Sequence, residues 1–570
     1  MRLFILKIIL ALLFLVLGFS LFRLQVIKGK DYFRQSENNC LRLVPEDASR
    51  GIIYDRNGIA LVENRLIFDV VAVFPDKMEN KDILFLRLSK ILNIDKYLIE
   101  DTFNYNSDAS FYSVMLAEDV GREAAFLIEQ QKSELPGIFI RPRALRYYVY
   151  KQAAAHLIGY VGKIPQKDYE KFKSLGYLPG DMIGRAGLEK KLDKKLKGVP
   201  GGMQLEVNNK GQIIKVVGYK YPLSGKDVHL TIDIKLQDFI YSLIKDVKGA
   251  VGIMDADTGE ILSLCSSPAY DPNILMDKKK HKQIKEILQN ENALLLNRAI
   301  CCYPPGSTFK IVTAFAGLAE KKITQTTSFT CNGFLKLGKR KFCCWLERGH
   351  GALTIENAFA GSCNVFFYKT GLRLGPELLA KYAAKFGIGQ LTGVELPGEQ
   401  AGFVPDLKWK RDKLRESWYK GDTLNFSIGQ GYLLVSPLQE LKMVAFVANG
   451  GREIFPHLLP ENLRQNKRKE VLSVKILSII RNSMRKVVCG DGGTGHRVNI
   501  PGVNIFAKTG TAQSAGAEPH AWFVGYAQIE DKNICFCVFL EHGGHGGHAA
   551  AGIAKQIISY LNSKDSRQTE

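Results

Sequence analysis

Leu3 to Phe22 is an almost unbroken apolar run, interrupted by Lys7, Gly18 and Ser20. Inside lipid every backbone polar group needs an internal partner, so a single run of this length can cross a bilayer only as a helix. Twenty helical residues span about 30 Å, the thickness of a bilayer's hydrocarbon core. Lys7 lies near the start of the run, where its amine can snorkel to the interface. No small-residue cleavage site of the A-x-A kind follows, so the run reads as an uncleaved anchor. Arg2 and Lys7 favour a cytoplasmic amino terminus, but Arg23, Lys28 and Lys30 follow closely. Charge balance alone therefore leaves the orientation open.

A chain of 570 residues rarely builds one core, so two or more domains are expected. Hydrophobic residues make up 46% and charged residues 24%, an ordinary globular balance that argues against disorder. The net charge is +21, from 78 Lys+Arg against 57 Asp+Glu. Such an excess suits nucleic acid, anionic lipid or another anionic polymer as neighbour, or simply a lysine-rich surface. No zinc-finger or RNP motif is present, which argues against nucleic acid. Eleven cysteines leave at least one thiol unpaired within the chain. Cys301-Cys302 and Cys343-Cys344 are adjacent pairs, which is poor metal spacing, and no second C-x-x-C accompanies a first. On spacing alone no metal site is expected.

Beyond the anchor (1–23), residues 24–225 mix strand-like runs (Phe68 to Phe74, Ile138 to Arg141) with amphipathic stretches such as Ile83 to Leu92. Gly184 to Gly202 reads as a connector with a helix inside it. No defensible nucleophile–base pair lies here, so the segment reads as a non-catalytic module. The pattern changes near Gly225. Asp227 to Asp233 alternates as a strand. Ala250 to Met254 and Glu260 to Cys265 are strand-like runs joined by Asp255-Ala256-Asp257-Thr258-Gly259, a hairpin signal. Val503 to Ala507, Ala521 to Ala527 and Ile534 to Glu541 are further strand candidates, Thr308 to Leu372 reads as mainly helical with loops, and Ala549 to Leu561 as a closing helix. Strands at both ends around a helical middle predict one α+β domain over 226–562, followed by a frayed polar tail, 563–570.

Three short motifs can carry chemistry: S-x-x-K, S-x-N and K-T-G. Each is weak alone. S-x-x-K occurs at Ser242, Ser307, Ser417 and Ser483, S-x-N at Ser36 and Ser362, and K-T-G at Lys369 and Lys508. Context selects among them. Ser307 follows Tyr303-Pro304-Pro305-Gly306, which stops any preceding element, and a helical run from Thr308 to Glu320 begins after it. The serine thus sits at a helix start, where free N–H groups favour a developing oxyanion. Lys310, three residues on, shares its face and, if buried, can lose its proton and act as base. Ser242 lies mid-helix, and Ser417 and Ser483 sit in charged stretches. Ser362-Cys363-Asn364 supplies a hydroxyl that can relay a proton and an amide that can bind a carbonyl. Ser36-Glu37-Asn38 is far in sequence from any nucleophile. Lys508-Thr509-Gly510-Thr511 follows a strand-like run, so lysine and threonine can hold a carboxylate while Gly510 admits a peptide close to the backbone. Lys369-Thr370-Gly371 instead reads as a helix C-terminus.

With Ser307, Ser362 and Lys508 in that order, the chain resembles the penicillin-binding transpeptidases. Arg50-Gly51-Ile52-Ile53-Tyr54-Asp55-Arg56-Asn57-Gly58 looks like the amino-terminal signature of the class B members, and Gly184-Arg185-Ala186-Gly187-Leu188-Glu189 like their connector motif. Cys344-Trp345, Gly349-His350-Gly351, Ser427-Ile428-Gly429-Gln430-Gly431 and His520-Ala521-Trp522-Phe523-Val524-Gly525 are similar to further segments of that class. The likeness covers roughly 45–560 and favours the elongation type over the division type. It implies a single transmembrane helix, an elongated non-catalytic pedestal over 24–225, and a penicillin-binding transpeptidase domain (an antiparallel sheet with a helical subdomain) over 226–562.

The resemblance implies residue roles. Ser307 attacks the penultimate D-alanine carbonyl of a donor stem peptide, Lys310 takes its proton, and Ser362 relays a proton toward the leaving D-alanine. Asn364 holds the donor peptide. Lys508, Thr509 and Thr511 bind the terminal carboxylate, with Gly510 between them. Backbone N–H groups of Ser307 and Thr511 form the oxyanion hole. No cofactor is required, and His542, His545 and His548 lie in what resembles a strand-to-helix loop rather than a metal site. The implied setting is the cytoplasmic (inner) membrane, single-pass, with the bulk of the chain outside. The implied partners are peptidoglycan stem peptides, β-lactams as inhibitors, a SEDS-type glycosyltransferase and a scaffold such as MreC, without nucleic acid. A penicillin sensor needs a cytoplasmic signalling domain, and a β-lactamase needs a water-activating base that the sequence does not display. By resemblance to enzymes with a cysteine before this tryptophan, Cys344 is the expected disulfide partner of Cys331, with Cys343 as competitor.

Overall fold

The computed structural model describes residues 2–29, 41–73, 80–107, 113–177, 181–207, 213–277, 280–460, 473–514 and 516–565. Ser36-Glu37-Asn38, the Phe74 end of the first predicted strand and the last residues of the tail lie outside them. Helix α1 (Arg2–Phe22) forms as the apolar run requires. The stretch Lys7–Ile27 is long and apolar enough to cross a membrane. Leu13, Phe14, Leu15 and Val16, successive residues that together circle the helix, are all exposed. A helix that is apolar all round and buries nothing in its own fold suits lipid rather than water.

The described residues form two compact units. One comprises Met1–Ile52, Asn64–Tyr147 and Lys194–Lys226, and the other Ile53–Glu63, Tyr148–Asp193 and Asp227–Glu570. Residues 53–63 and 148–193 thus group with the second unit although they lie within 24–225. In the first unit, the strand Ala60–Val73 continues from Asn64 beside Ser113–Val120 and Ile138–Tyr148. Its core joins Val70, Ala72 and Val114 of these strands to Leu84, Phe85 and Leu88 of the helix Lys81–Leu92 and Ile99 and Phe103 of the helix Lys96–Ser107. Both predicted strands and the predicted helix are present. A separate antiparallel ribbon pairs Leu41–Glu46, Gly201–Val207 and Ile213–Lys220.

The second unit is built on five antiparallel strands: β1 (Gly249–Asp255), β2 (Ile261–Ser267), β3 (Asn504–Ser514), β4 (Ala517–Ile529) and β5 (Lys532–Leu540). They are ordered β2-β1-β5-β4-β3. Side chains alternate between sheet faces. Val251, Ile253, Phe523, Phe536 and Val538 join the helices Ile234–Ile244 and Ala549–Asp565 in one core. The intervening residues of the same strands, Ala250, Met254, Trp522 and Cys537, are also buried, so the sheet is covered on both faces. Gly252 shows how closely the second layer approaches, since a Cβ there would collide with Leu441 of the helix Pro437–Ala448.

The segment Arg50 to Gly58 has a local structural reason. Buried Asp55 accepts hydrogen bonds from the Asn57 and Ile59 backbone N–H groups at 2.8 Å each and from Ile234 N–H at 3.3 Å. In the connector motif, Gly187 takes φ +54° and a Cβ there would sit 2.5 Å from Gly159 N.

Three expectations need correction. Asp227–Asp233 holds only a two-residue strand, Val228–His229. The region 308–372 is less helical than its composition suggests. It contains the strands Phe329–Cys331 with Gly351–Leu353, and Phe334–Leu337 with Arg340–Cys343. Strands of three or four residues are too short to display a period. Lys369-Thr370-Gly371 does not end a helix. It lies inside Asn364–Lys385, whose break comes later at Gly375-Pro376.

Candidate active site

Ser307 sits in a 3₁₀ turn, Gly306–Phe309, that runs directly into helix α2 (Lys310–Ala319). The turn forms because Gly306 adopts φ +59°, where a Cβ would press on Thr511 O at 2.7 Å. The Lys310 backbone N–H closes the turn on the Ser307 and Thr308 carbonyls. Ser307 is half-buried.

Lys310 is fully buried. Its Nζ donates to Ser362 O (2.8 Å), Ser362 Oγ (3.2 Å) and Asn364 Oδ1 (2.7 Å). Ser362 precedes helix α3 (Asn364–Lys385) and holds φ +53°, a strained value for a residue with a side chain. That backbone aims its carbonyl, its hydroxyl and the Asn364 amide at one amine. Lys508, equally buried, donates from Nζ to the same Ser362 Oγ at 2.9 Å and to Thr509 O at 2.9 Å. The two amines share one hydroxyl oxygen, and desolvation disfavours charge on both. Burial pushes Lys310 down to about 8. Burial, followed by the charge of Lys310, holds Lys508 well below the usual lysine range. One of the pair can therefore be neutral near neutral pH and accept a proton.

The K-T-G residues do not follow a strand but lie within β3, which runs on to Ser514. β3 is the last strand of the sheet, and its outer side faces the Ser307 turn. A Cβ on Gly510 would sit 2.9 Å from Pro305 O and from Thr308 Cγ2. Gly510 thus makes room for the chain's own Ser307 turn rather than for a peptide, while the free edge of the strand can take an extended peptide by backbone hydrogen bonds. Thr509 Oγ1 is 2.7 Å from Thr494 Oγ1, a partner that sequence reading missed. Its signal was the Gly-rich Gly492-Gly493-Thr494-Gly495, which resembles any loop.

The rival motifs are set elsewhere. Ser242 is exposed in a helix and donates to Phe239 O. Ser417 is exposed outside any helix. Ser483 is buried and donates to Ile479 O. His542 packs against His520, ring centroids 4.7 Å apart, while His545 and His548 are exposed.

Beside the site lies a cluster that spacing rules did not anticipate. Cys331, Cys344, His350 and Cys363 bring one donor atom each within 4.8 Å of one another. Cys331 Sγ and Cys344 Sγ lie 3.7 and 3.6 Å from His350 Nδ1. Cys331 and Cys344 are free thiols, so the expected disulfide is not formed. Both sulfurs lie close to the same histidine nitrogen. Three sulfurs and one imidazole nitrogen suit a tetrahedral, borderline-soft divalent ion such as zinc. Among the described residues the buried His350 Nε2 has no hydrogen-bond partner. The donors come from the end of one strand, the residue after another, a loop and the residue before α3, so no local spacing could announce them.

A penicillin-binding protein transpeptidase domain model matches residues 249–559, and a penicillin-binding protein dimerisation domain model matches 45–230. The chain is 31% identical to peptidoglycan D,D-transpeptidase MrdA of Escherichia coli, over 96% of this chain and 91% of that one. It is 32% identical to its counterpart from Acinetobacter baumannii, over 96% and 85%. Among solved structures it matches penicillin-binding protein PBP2 of Helicobacter pylori, in complex with MreC, with a TM-score of 0.83 and 29% identity over 92% of this chain and 99% of that one. A chain in a peptidoglycan synthase complex that coordinates polymerization and crosslinking matches with a TM-score of 0.74 and 29% identity, over 99% and 98%. The likeness spans both units, and the chain belongs to the penicillin-binding protein transpeptidase family.

Proposed function

We propose that the chain is a serine-type peptidoglycan D,D-transpeptidase that crosslinks stem peptides during cell-wall elongation, with Ser307 as nucleophile. The observation that carries the site assignment is the convergence of Lys310 and Lys508, 198 residues apart by their numbers, on the single hydroxyl of Ser362. A buried amine pushed down to about 8 is a competent general base. In the first half-reaction the neutral Lys310 Nζ takes the Ser307 Oγ proton as Oγ bonds to the penultimate D-alanine carbonyl. Ser307 and Thr511 N–H groups receive the oxyanion. The C–N bond then breaks, and Ser362 passes a proton to the departing D-alanine amine. In the second, the amine of another stem peptide attacks the ester carbonyl, Ser362 and Lys310 carry that amine's proton to the Ser307 oxygen, and the ester C–O bond breaks to free the serine. Dividing acyl transfer in this way replaces one hard step by two easier ones. Asn364 holds the donor amide, and Lys508, Thr509 and Thr511 hold its terminal carboxylate against Gly510.

On this reading the Cys331, Cys344, His350 and Cys363 donors hold a structural zinc ion. A bound ion there would tie two ribbons to the residue between Ser362 and Asn364. Helix α1 anchors the chain in the cytoplasmic membrane with the bulk outside, and its partners are a SEDS-type glycosyltransferase and an MreC-like scaffold. The test is crosslinking in vitro. Supplied with uncrosslinked glycan carrying pentapeptide stems, wild type is expected to release D-alanine and form peptide crosslinks, and Ser307→Ala to do neither. Crosslinking by Ser307→Ala would remove the assignment.

A further inference from the structure

Glu440 is a buried acid beside the nucleophile turn that takes no part in the mechanism above. It lies on the helix Pro437–Ala448 and is 1% exposed. Its Oε1 is 2.8 Å from Oγ1 of Thr308, the residue after the nucleophile. The same Thr308 Oγ1 is 3.1 Å from Pro305 O. A hydroxyl has one proton, and a backbone carbonyl can only accept. If the Thr308 proton goes to Pro305 O, the contact to Glu440 is a hydrogen bond only when Glu440 brings a proton of its own.

The surroundings agree. Among the described residues, the buried Glu440 Oε2 has no hydrogen-bond partner and no cation pairs with the carboxyl. The titratable group facing it from the sheet is the buried Cys537 thiol, held in its neutral form by desolvation. On its own helix, Lys442 is turned to the Phe455 ring, 4.8 Å away. A carboxylate here would be an uncompensated buried charge, whereas a neutral acid leaves one bare carbonyl oxygen, a far smaller penalty.

We infer that Glu440 is a neutral carboxylic acid that donates its Oε1 proton to Thr308 Oγ1, and that the chain Glu440–Thr308–Pro305 O positions the Ser307 turn for acylation. Burial pushes Glu440 up to about 8, which agrees with the geometry. The chain acts where precision matters. Thr308 Cγ2 and Pro305 O are two of the atoms that crowd the missing Cβ of Gly510, so the Thr308 rotamer sets how the nucleophile turn seats against β3. Glu440 is thus a positioning residue, and the inference rests on Ser307 being the nucleophile.

The experiment compares full-length wild type, Glu440→Gln and Glu440→Met in detergent, with a fluorescent penicillin as probe and thermal melting as fold control. Gln keeps a donor at the same place and is expected to acylate within about threefold of wild type. Met has similar length and no donor, and is expected to acylate about tenfold more slowly with little change in initial probe affinity. Infrared spectra at neutral pH are expected to show a protonated-carboxyl band in wild type that Glu440→Gln lacks. Three results would overturn the inference: a folded Glu440→Met as fast as wild type, a Glu440→Gln as slow as Glu440→Met, or no such band. Should Glu440→Met not fold, the band and the Gln variant decide. Absence of any Ser307 adduct in wild type would sink the parent reading as well, so the two failures are distinguishable.

Discussion

At the scale of single residues the account turns on proton inventory. In the proposed mechanism Lys310 can serve as base only when neutral. Its ammonium is disfavoured by burial, which brings it down to about 8, so the neutral fraction grows as pH rises toward and through that value. Acylation by a neutral β-lactam ester is therefore expected to climb with a midpoint near pH 8, and a flat profile from 6 to 9 would contradict the assignment. Lys310→Arg keeps the charge but removes the base, because guanidinium does not deprotonate in this range. Loss of at least about a thousandfold in acylation rate is expected, with circular dichroism unchanged. Retention of much of the activity would make Lys310 a structural partner. That Ser307 and Lys310 share one turn is legible in the sequence, because the two are only three residues apart. Ser362 and Lys508 were legible only through the choice of context around repeated motifs. Thr494 and Glu440 were not, since both depend on contacts between segments far apart in the chain.

At the scale of elements, tertiary contact decided what local pattern could not. The strands over 249–267 and 504–540 were found by their apolar runs, but K-T-G was placed after its strand rather than inside it. Lysine and glycine are poor strand formers, and pairing with Val524 to Ala521 carries β3 through them. The ribbons over 329–353 are too short for periodicity, and they are what gathers the donors Cys331 and Cys344 beside His350 and Cys363. The donor set makes a measurable claim. Metal analysis of protein purified without chelator is expected to find about one zinc per chain. Cys331→Ser and Cys344→Ser are expected to lose it and to melt at lower temperature, because structural zinc contributes folding energy. A metal-free wild type, with the three cysteine donors alkylated at the rate of exposed thiols, would contradict this.

At the scale of the whole molecule the sequence bounds the answer most firmly at its two extremes. The apolar run dictates helix α1 from solvent physics alone, and family likeness spans both units. Between them, the allotment of 53–63 and 148–193 to the second unit could not be read from sequence. It follows from contacts such as Gln237 Nε2 donating to Ala153 O at 2.8 Å and Tyr148 N–H donating to Asn273 Oδ1 at 2.9 Å. Because the stretch Lys7–Ile27 is apolar all round, the protein is expected in the membrane fraction, released by detergent and not by high salt. A form lacking residues 2–29 is expected to retain Ser307 acylation, since the site residues all belong to the second unit. Loss of acylation in a folded form would show that the site needs its anchor.

The most direct measurement is intact-mass and tandem mass spectrometry after exposure to benzylpenicillin. The account predicts one adduct per chain, on the peptide containing Ser307, persisting for many minutes because the acyl-enzyme awaits an amine rather than water. An adduct on Ser242, Ser417 or Ser483, or one at Ser307 that hydrolyses within seconds as in a β-lactamase, would contradict it.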